Sequence, residues 1–122
     1  MTIDLHKMSV SELVDRFVKL GIGQFRAELL GNIADENKLI RQMHGVFEEL
    51  KSRPGDQRSA LVSLYSHPNI QVRLMAAKLT LAVAPAAARQ LLQAIKDSKE
   101  YPQAMDAGMC LRNLESGIFR PT

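Results

Sequence analysis

The chain has 122 residues, of which 46% are hydrophobic, 24% charged and 5% aromatic, with no Trp and a formal charge of +3. That length suits one domain with one core; the single cysteine, Cys110, excludes an intrachain disulfide, and so mild a positive excess names no nucleic-acid partner by itself. The apolar content is carried by Ala, Leu and Met, whose side chains lose little rotamer freedom in a helix.

Ser9 is the first helix signal, with Glu12 three residues on to complete a capping box. Leu13, Val14, Phe17 and Val18 follow as an apolar stripe, and Gly21 and Gly23 are expected to end this helix near Leu20. Helical spacing resumes through Phe25, Leu29 and Leu30, with a break near Gly31 and Asn32. Asp35 to Ser52 reads as an amphipathic helix, because Leu39, Ile40, Met43, Val46, Phe47 and Leu50 fall at three- and four-residue steps. Asp35 and Glu36 complement its dipole, and Glu48 and Glu49 read as a solvated face. Gly45 sits opposite its stripe, where either another backbone approaches or nothing does.

Arg53-Pro54-Gly55-Asp56 stops that helix and offers Asp56 as the next cap. A short helix should then turn Leu61, Val62, Leu64 and Tyr65 inward. Pro68 and Asn69 lead into a helix over Ile70 to Val83 whose only polar interruptions are Gln71, Arg73, Lys78 and Thr80. A helix apolar nearly all round must be covered by neighbours. Gln71 and Lys78 are assigned to solvent, and Arg73 to a structural bond. Pro85 starts a helix with the stripe Leu91, Leu92 and Ile95, and Pro102 starts the last, which Gly117 closes. Met105 and Met109 within it are read as core. No segment alternates apolar and polar residues as a strand does, so the expected class is all-α.

A shift of 31 positions lays Arg58 on Arg89, Leu61 on Leu92, Leu64 on Ile95, Ala76 on Ala107 and Ala77 on Gly108. The small pairs leave room for another helix to come close. The sequence is thus read as one helical domain over 1–122, with N-terminal capping helices over about 9–52 and two hairpins over about 56–84 and 85–116. The proline turn followed by Val72-Arg73, Ala76-Ala77 and Leu79 resembles a HEAT-type repeat. The stretch from His67 to Pro85, with the tail from Tyr101 onward, resembles a family of small uncharacterised bacterial proteins known only as a domain of unknown function. The resemblance implies a short right-handed superhelix of antiparallel hairpins, HEAT- or armadillo-like, and implies no activity.

Motifs for chemistry are missing. His6, His44 and His67 lack ligand spacing, so no metal is expected, and Gly21-Ile22-Gly23 follows no strand, so no dinucleotide cofactor is expected either. Cys110 reads as a small buried residue. No stretch is long and apolar enough for a bilayer, and the N-terminus lacks a signal-peptide core, so cytoplasmic residence is the expectation.

Residues 57 to 96 hold Arg58, Arg73, Lys78, Arg89 and Lys96 and no acidic side chain, whereas the first 55 residues balance. The candidate contact residues for a partner or a polyanion are therefore Arg58, Lys78, Arg89 and Lys96, joined from the last helix by Tyr101, Asp106 and Arg112. The expected role is a non-catalytic module binding a protein, a second copy included. The alternatives are nucleic-acid or other polyanion binding through the basic stretch, and a toxin-neutralising protein or an enzyme without a recognised motif.

Overall fold

Ser9 caps the first long helix, α1 (Val10–Leu29): its hydroxyl accepts the Glu12 amide at 3.1 Å, and the Glu12 carboxylate accepts the Ser9 amide at 2.9 Å. The computed structural model, which describes residues 3–122, holds four further α-helices, two 3-10 helices and, among the described residues, no strand. These are α2 (Ile33–Ser52), α3 (Ile70–Leu79), α4 (Pro85–Ser98) and α5 (Gln103–Ser116), with 3-10 helices at Leu5–Lys7 and Gln57–Ser66. The described chain gathers into two compact units, one up to Ala60 and one from Leu61 onward.

In the first unit α1 does not stop near Leu20 but runs through both glycines. Each glycine costs about 1 kcal/mol in a helix interior, and burial of Leu13, Phe17, Leu20 and Ala27 on one face outweighs that cost. Gly23 also serves the packing, because a Cβ built there would lie 3.1 Å from Leu39 Cδ1 of α2. The helix ends instead in a Schellman motif: Gly31, at φ +68°, donates to the Glu28 carbonyl, and Asn32 donates to that of Ala27. Asn32 then caps α2 by accepting the Asp35 amide at 3.1 Å. One asparagine thus closes one helix and opens the next. A three-residue turn between two packed 20-residue helices makes α1 and α2 an antiparallel pair, and Gly23 with Leu39 and Gln24 with Met43 Sδ are contacts across it.

Glu49 is not on a solvated face. It is buried, bonded to Arg53 Nε at 3.0 Å and to His6 Nδ1 at 2.8 Å, and Arg53 also donates to the Leu5 carbonyl. The Arg53 bond holds the Glu49 carboxyl below the usual carboxylate range, against the opposing effect of burial. Together these bonds tie the N-terminal 3-10 helix to α2. Gly45 faces the same segment: a Cβ there would meet only Leu5 Cδ1, at 3.6 Å, so no backbone approaches.

In the second unit α3 is buried along nearly its whole surface, with Ile70, Gln71, Val72, Leu74, Met75, Ala76 and Ala77 covered. It is shorter than the expected Ile70 to Val83 because Thr80 closes it. The Thr80 hydroxyl donates to the Ala76 carbonyl at 2.7 Å, which leaves the Tyr65 phenol to donate to Thr80. Gln71, assigned to solvent from the sequence, is buried instead and accepts from Gln103 Nε2 of α5 at 3.2 Å. A buried amide needs such a partner. Arg73 donates to the carbonyls of His67 and Pro68 and so fastens the turn before its own helix.

Helices α4 and α5 pack together in this unit. Ala88, Leu92 and Ile95 of α4 and Ala104, Ala107 and Cys110 of α5 supply their buried apolar positions. The positions matched by the 31-residue shift agree in burial at Leu61 and Leu92, at Leu64 and Ile95, and at Ala76 and Ala107. They part at Arg58, which is buried, and Arg89, which is exposed, and again at Ala77 and Gly108: Ala77 is buried, while a Cβ on Gly108 would meet only the aliphatic stem of Lys96, at 3.7 Å. The gap left by Gly108 holds a side chain, not another helix. Contacts of Gln71 with Gln103 and Lys78 with Asp106 advance together, so α3 and α5 run in the same direction.

Candidate interaction surface

Helix α4 ends at Ser98 with Lys99 in the left-handed region, φ 59°, a conformation that costs a lysine more than the glycine usually found there. The chain then turns through Tyr101 into α5. Tyr101, Met105 and Met109 follow one another at four-residue steps, and all three are exposed, at 66%, 60% and 51%. The methionines are therefore not core, as their spacing suggests. The inward positions are already taken by Ala104, Ala107 and Cys110, and the stripe one step around the helix is left outside.

Between the last turn of α4 and the start of α5 lies an open cleft of about 410 Å³ lined by Lys96, Asp97, Lys99, Tyr101, Ala104, Met105, Gly108 and Arg112. The Lys96 stem lies against Gly108, an arrangement in which methylene groups cover apolar surface while the ammonium group stays in water. Three cations and one carboxylate line the cleft. Asp97 also accepts a bond from Gln93 Nε2 at 3.0 Å. The result is an open cleft in which the apolar groups of Tyr101, Ala104 and Met105 stand beside three cations.

Of the residues singled out from the sequence, Lys96, Tyr101 and Arg112 come together in this cleft. Arg58 does not belong with them. It is 4% exposed, its guanidinium bonds both Asp56 oxygens at distances down to 2.6 Å, and it stacks over the Phe47 ring at 5.4 Å. Such a group is held by its own turn and presents no free edge to a phosphate. Asp56 sits at φ 51°, and the Arg58 bond holds its carboxyl below the usual range. Lys78 and Asp106 bond each other at 2.9 Å, both partly exposed; here they link α3 to α5. Arg89 is exposed on α4 and does not line the cleft.

Sequence reasoning missed Lys99 and the exposure of the two methionines. The short run Lys96-Asp97-Ser98-Lys99 held the signal for Lys99. Cys110 is buried, and burial pushes its thiol up, so it is a packing residue and not an activated thiolate. Among the described residues no three His, Cys, Asp or Glu side chains gather as a metal site would require, and no helix is long and apolar enough to cross a membrane. The first unit carries its own exposed apolar group at the turn between α1 and α2, where Leu29, Leu30 and Ile33 are all more than 70% exposed.

Residues 11–115 match the family model described as a domain of unknown function, DUF2019. A crystal structure of the protein RPA1889 from Rhodopseudomonas palustris CGA009 is similar to this chain at 52% identity, with a TM-score of 0.96 over 99% of this chain and 100% of that one. No curated protein matches the chain.

Proposed function

The chain belongs to the DUF2019 family, a domain of unknown function, and we propose that it is a non-catalytic interaction module whose contact face for a partner protein is the outer side of α5. The observation that carries this reading is the exposed run Tyr101, Met105 and Met109 beside the cationic cleft. Methionine is flexible and polarisable and suits a surface that adapts to a partner. Aromatic side chains, Met and Arg are the residue types enriched at interfaces. In this reading α4 and α5 form a HEAT-like hairpin that follows α3 in a short superhelix, supported by the common direction of α3 and α5 and by the repeat-matched burial. A single buried cysteine suits residence in the reducing cytoplasm.

Binding of a nucleic acid draws on the same cations. It is the weaker reading because Arg58 and Lys78 are engaged with Asp56 and Asp106, and only Lys96, Lys99 and Arg112 share one place. Phosphate contacts along a backbone need a longer track.

A photo-crosslinking residue placed at Met109, with Gln90 on α4 as an exposed control, tests the proposal in cells of the source organism. A discrete cross-linked species from position 109 and none from position 90 is the expected result. No species from 109, or the same smear from both positions, overturns it.

A further inference from the structure

We infer that the cleft between α4 and α5 takes an acidic segment of the partner protein, with an apolar side chain seated on Tyr101, Ala104 and Met105 and carboxylates on Lys96, Lys99 and Arg112. This inference rests on the reading of α5 as a contact face, and adds what that face selects. Charge complementarity carries it. The three cations leave an excess of two positive charges over Asp97, beside the apolar groups of Tyr101, Ala104 and Met105.

The cations differ in what they can do. Arg112 offers a planar fork that donates two parallel bonds to a carboxylate, whereas Lys96 and Lys99 act as mobile point charges. The Lys96 stem is already laid down on Gly108, so less of its freedom remains to be lost when an anion arrives. The backbone of Lys99 is set by its place as the left-handed cap of α4, while its side chain stays exposed.

The alternatives fit less well. A nucleic acid would find one aromatic ring to stack on and three cations in a cluster, where single-strand binders pair a basic track with several stacking platforms. A lipid surface is flat and would meet the cations while leaving the cleft unfilled. An acidic segment with one bulky apolar residue meets the cations and fills the cleft.

The experiment selects random dodecapeptides displayed on phage against the full chain, then measures the selected peptide against wild type, Lys96→Glu/Lys99→Glu and, as a charge-reversal control outside the cleft, Arg89→Glu. All three positions are exposed, and circular dichroism melts confirm that each variant is folded. The expected result is enrichment of Asp and Glu beside one aromatic or aliphatic residue, amide shifts confined to residues 96–112, and a loss of affinity of about tenfold or more in the double variant only. Binding should also weaken as salt rises. Selected peptides without acidic enrichment, shifts outside that range, or equal loss in Arg89→Glu overturn the inference. Tighter binding to oligothymidine, or to phosphatidylcholine vesicles containing phosphatidylserine, than to the selected peptide overturns it as well. Should the photo-crosslink from position 109 persist in the Lys96→Glu/Lys99→Glu variant, the contact face stands and the acidic-segment inference alone falls.

Discussion

The two units use their charged groups differently, although each holds an internal ion pair, Asp56 with Arg58 in the first and Lys78 with Asp106 in the second. In the first, polar groups are spent on ends and ties: the Ser9 and Glu12 capping box, the Asp56 and Arg58 pair, and the Glu49 contacts with Arg53 and His6 that hold the N-terminal segment. In the second, buried polar contacts are made by neutral groups, Gln71 with Gln103 and Thr80 with Tyr65, and a cluster of cations stands at the cleft. A charge engaged in the fold says little about partners. The cleft cations, three against the one carboxylate of Asp97, stay exposed to solvent, and that difference separates Arg58 from Lys96 although both lie in the same acid-free stretch of sequence.

The largest expected effect contrasts the core of the first unit with the exposed face of the second. Phe17 is fully buried, so Phe17→Ala should cost about 3–5 kcal/mol, while Met109→Ala should stay within about 0.5 kcal/mol. Chemical denaturation followed by circular dichroism measures both, and a Met109→Ala loss comparable to that of Phe17→Ala would show that the α5 face is core after all. Next comes Thr80→Val, which removes the hydroxyl that bonds the Ala76 carbonyl and receives the Tyr65 phenol. A loss of about 1–2 kcal/mol is expected, against about 1 kcal/mol for the exposed cap change Ser9→Ala.

Acid should separate the units further. Glu12, Glu49 and Asp56 are held below the usual carboxylate range, Glu12 chiefly by the Ser9 amide and the other two chiefly by Arg53 and Arg58, and all three lie in the first unit. A carboxyl depressed on folding stabilises the native state above its unfolded pKa, and that contribution is lost as pH falls through the lower folded value. Resonances of residues up to Ala60 should therefore lose dispersion first as pH drops below about 4 in a series of amide spectra. Simultaneous loss in both units would remove the distinction.

The smallest effects concern glycine. Gly45→Ala and Gly108→Ala place a methyl group at ordinary contact distance, 3.6 and 3.7 Å from side chains. Each should raise stability by up to about 1 kcal/mol. Gly23→Ala should gain less or lose, since Leu39 lies at 3.1 Å and must give way. Thermal melts of the three variants rank them, and a Gly23→Ala gain equal to the others would show that Leu39 moves freely.

Much of the fold was legible in the sequence because local chemistry suffices for it. The capping box at Ser9, proline at the first position of α4 and Gly117 closing α5 all stand where expected. The nearly continuous apolar run of α3 announced a covered helix. What failed depended on partners distant in sequence. Gly21 and Gly23 read as breakers because their own propensity is poor, yet packing against α2 keeps them helical. Gln71 read as exposed because its type is polar, and only the approach of Gln103 makes its burial affordable.

The proposed contact surface divides the same way. Its positive stretch and the four-residue spacing of Tyr101, Met105 and Met109 are properties of the chain. Which cations stay available, and which side of α5 faces water, were decided by packing. A side chain's type and spacing set what it can do, but whether a charge is neutralised or an apolar stripe covered depends on atoms brought beside it from elsewhere in the chain.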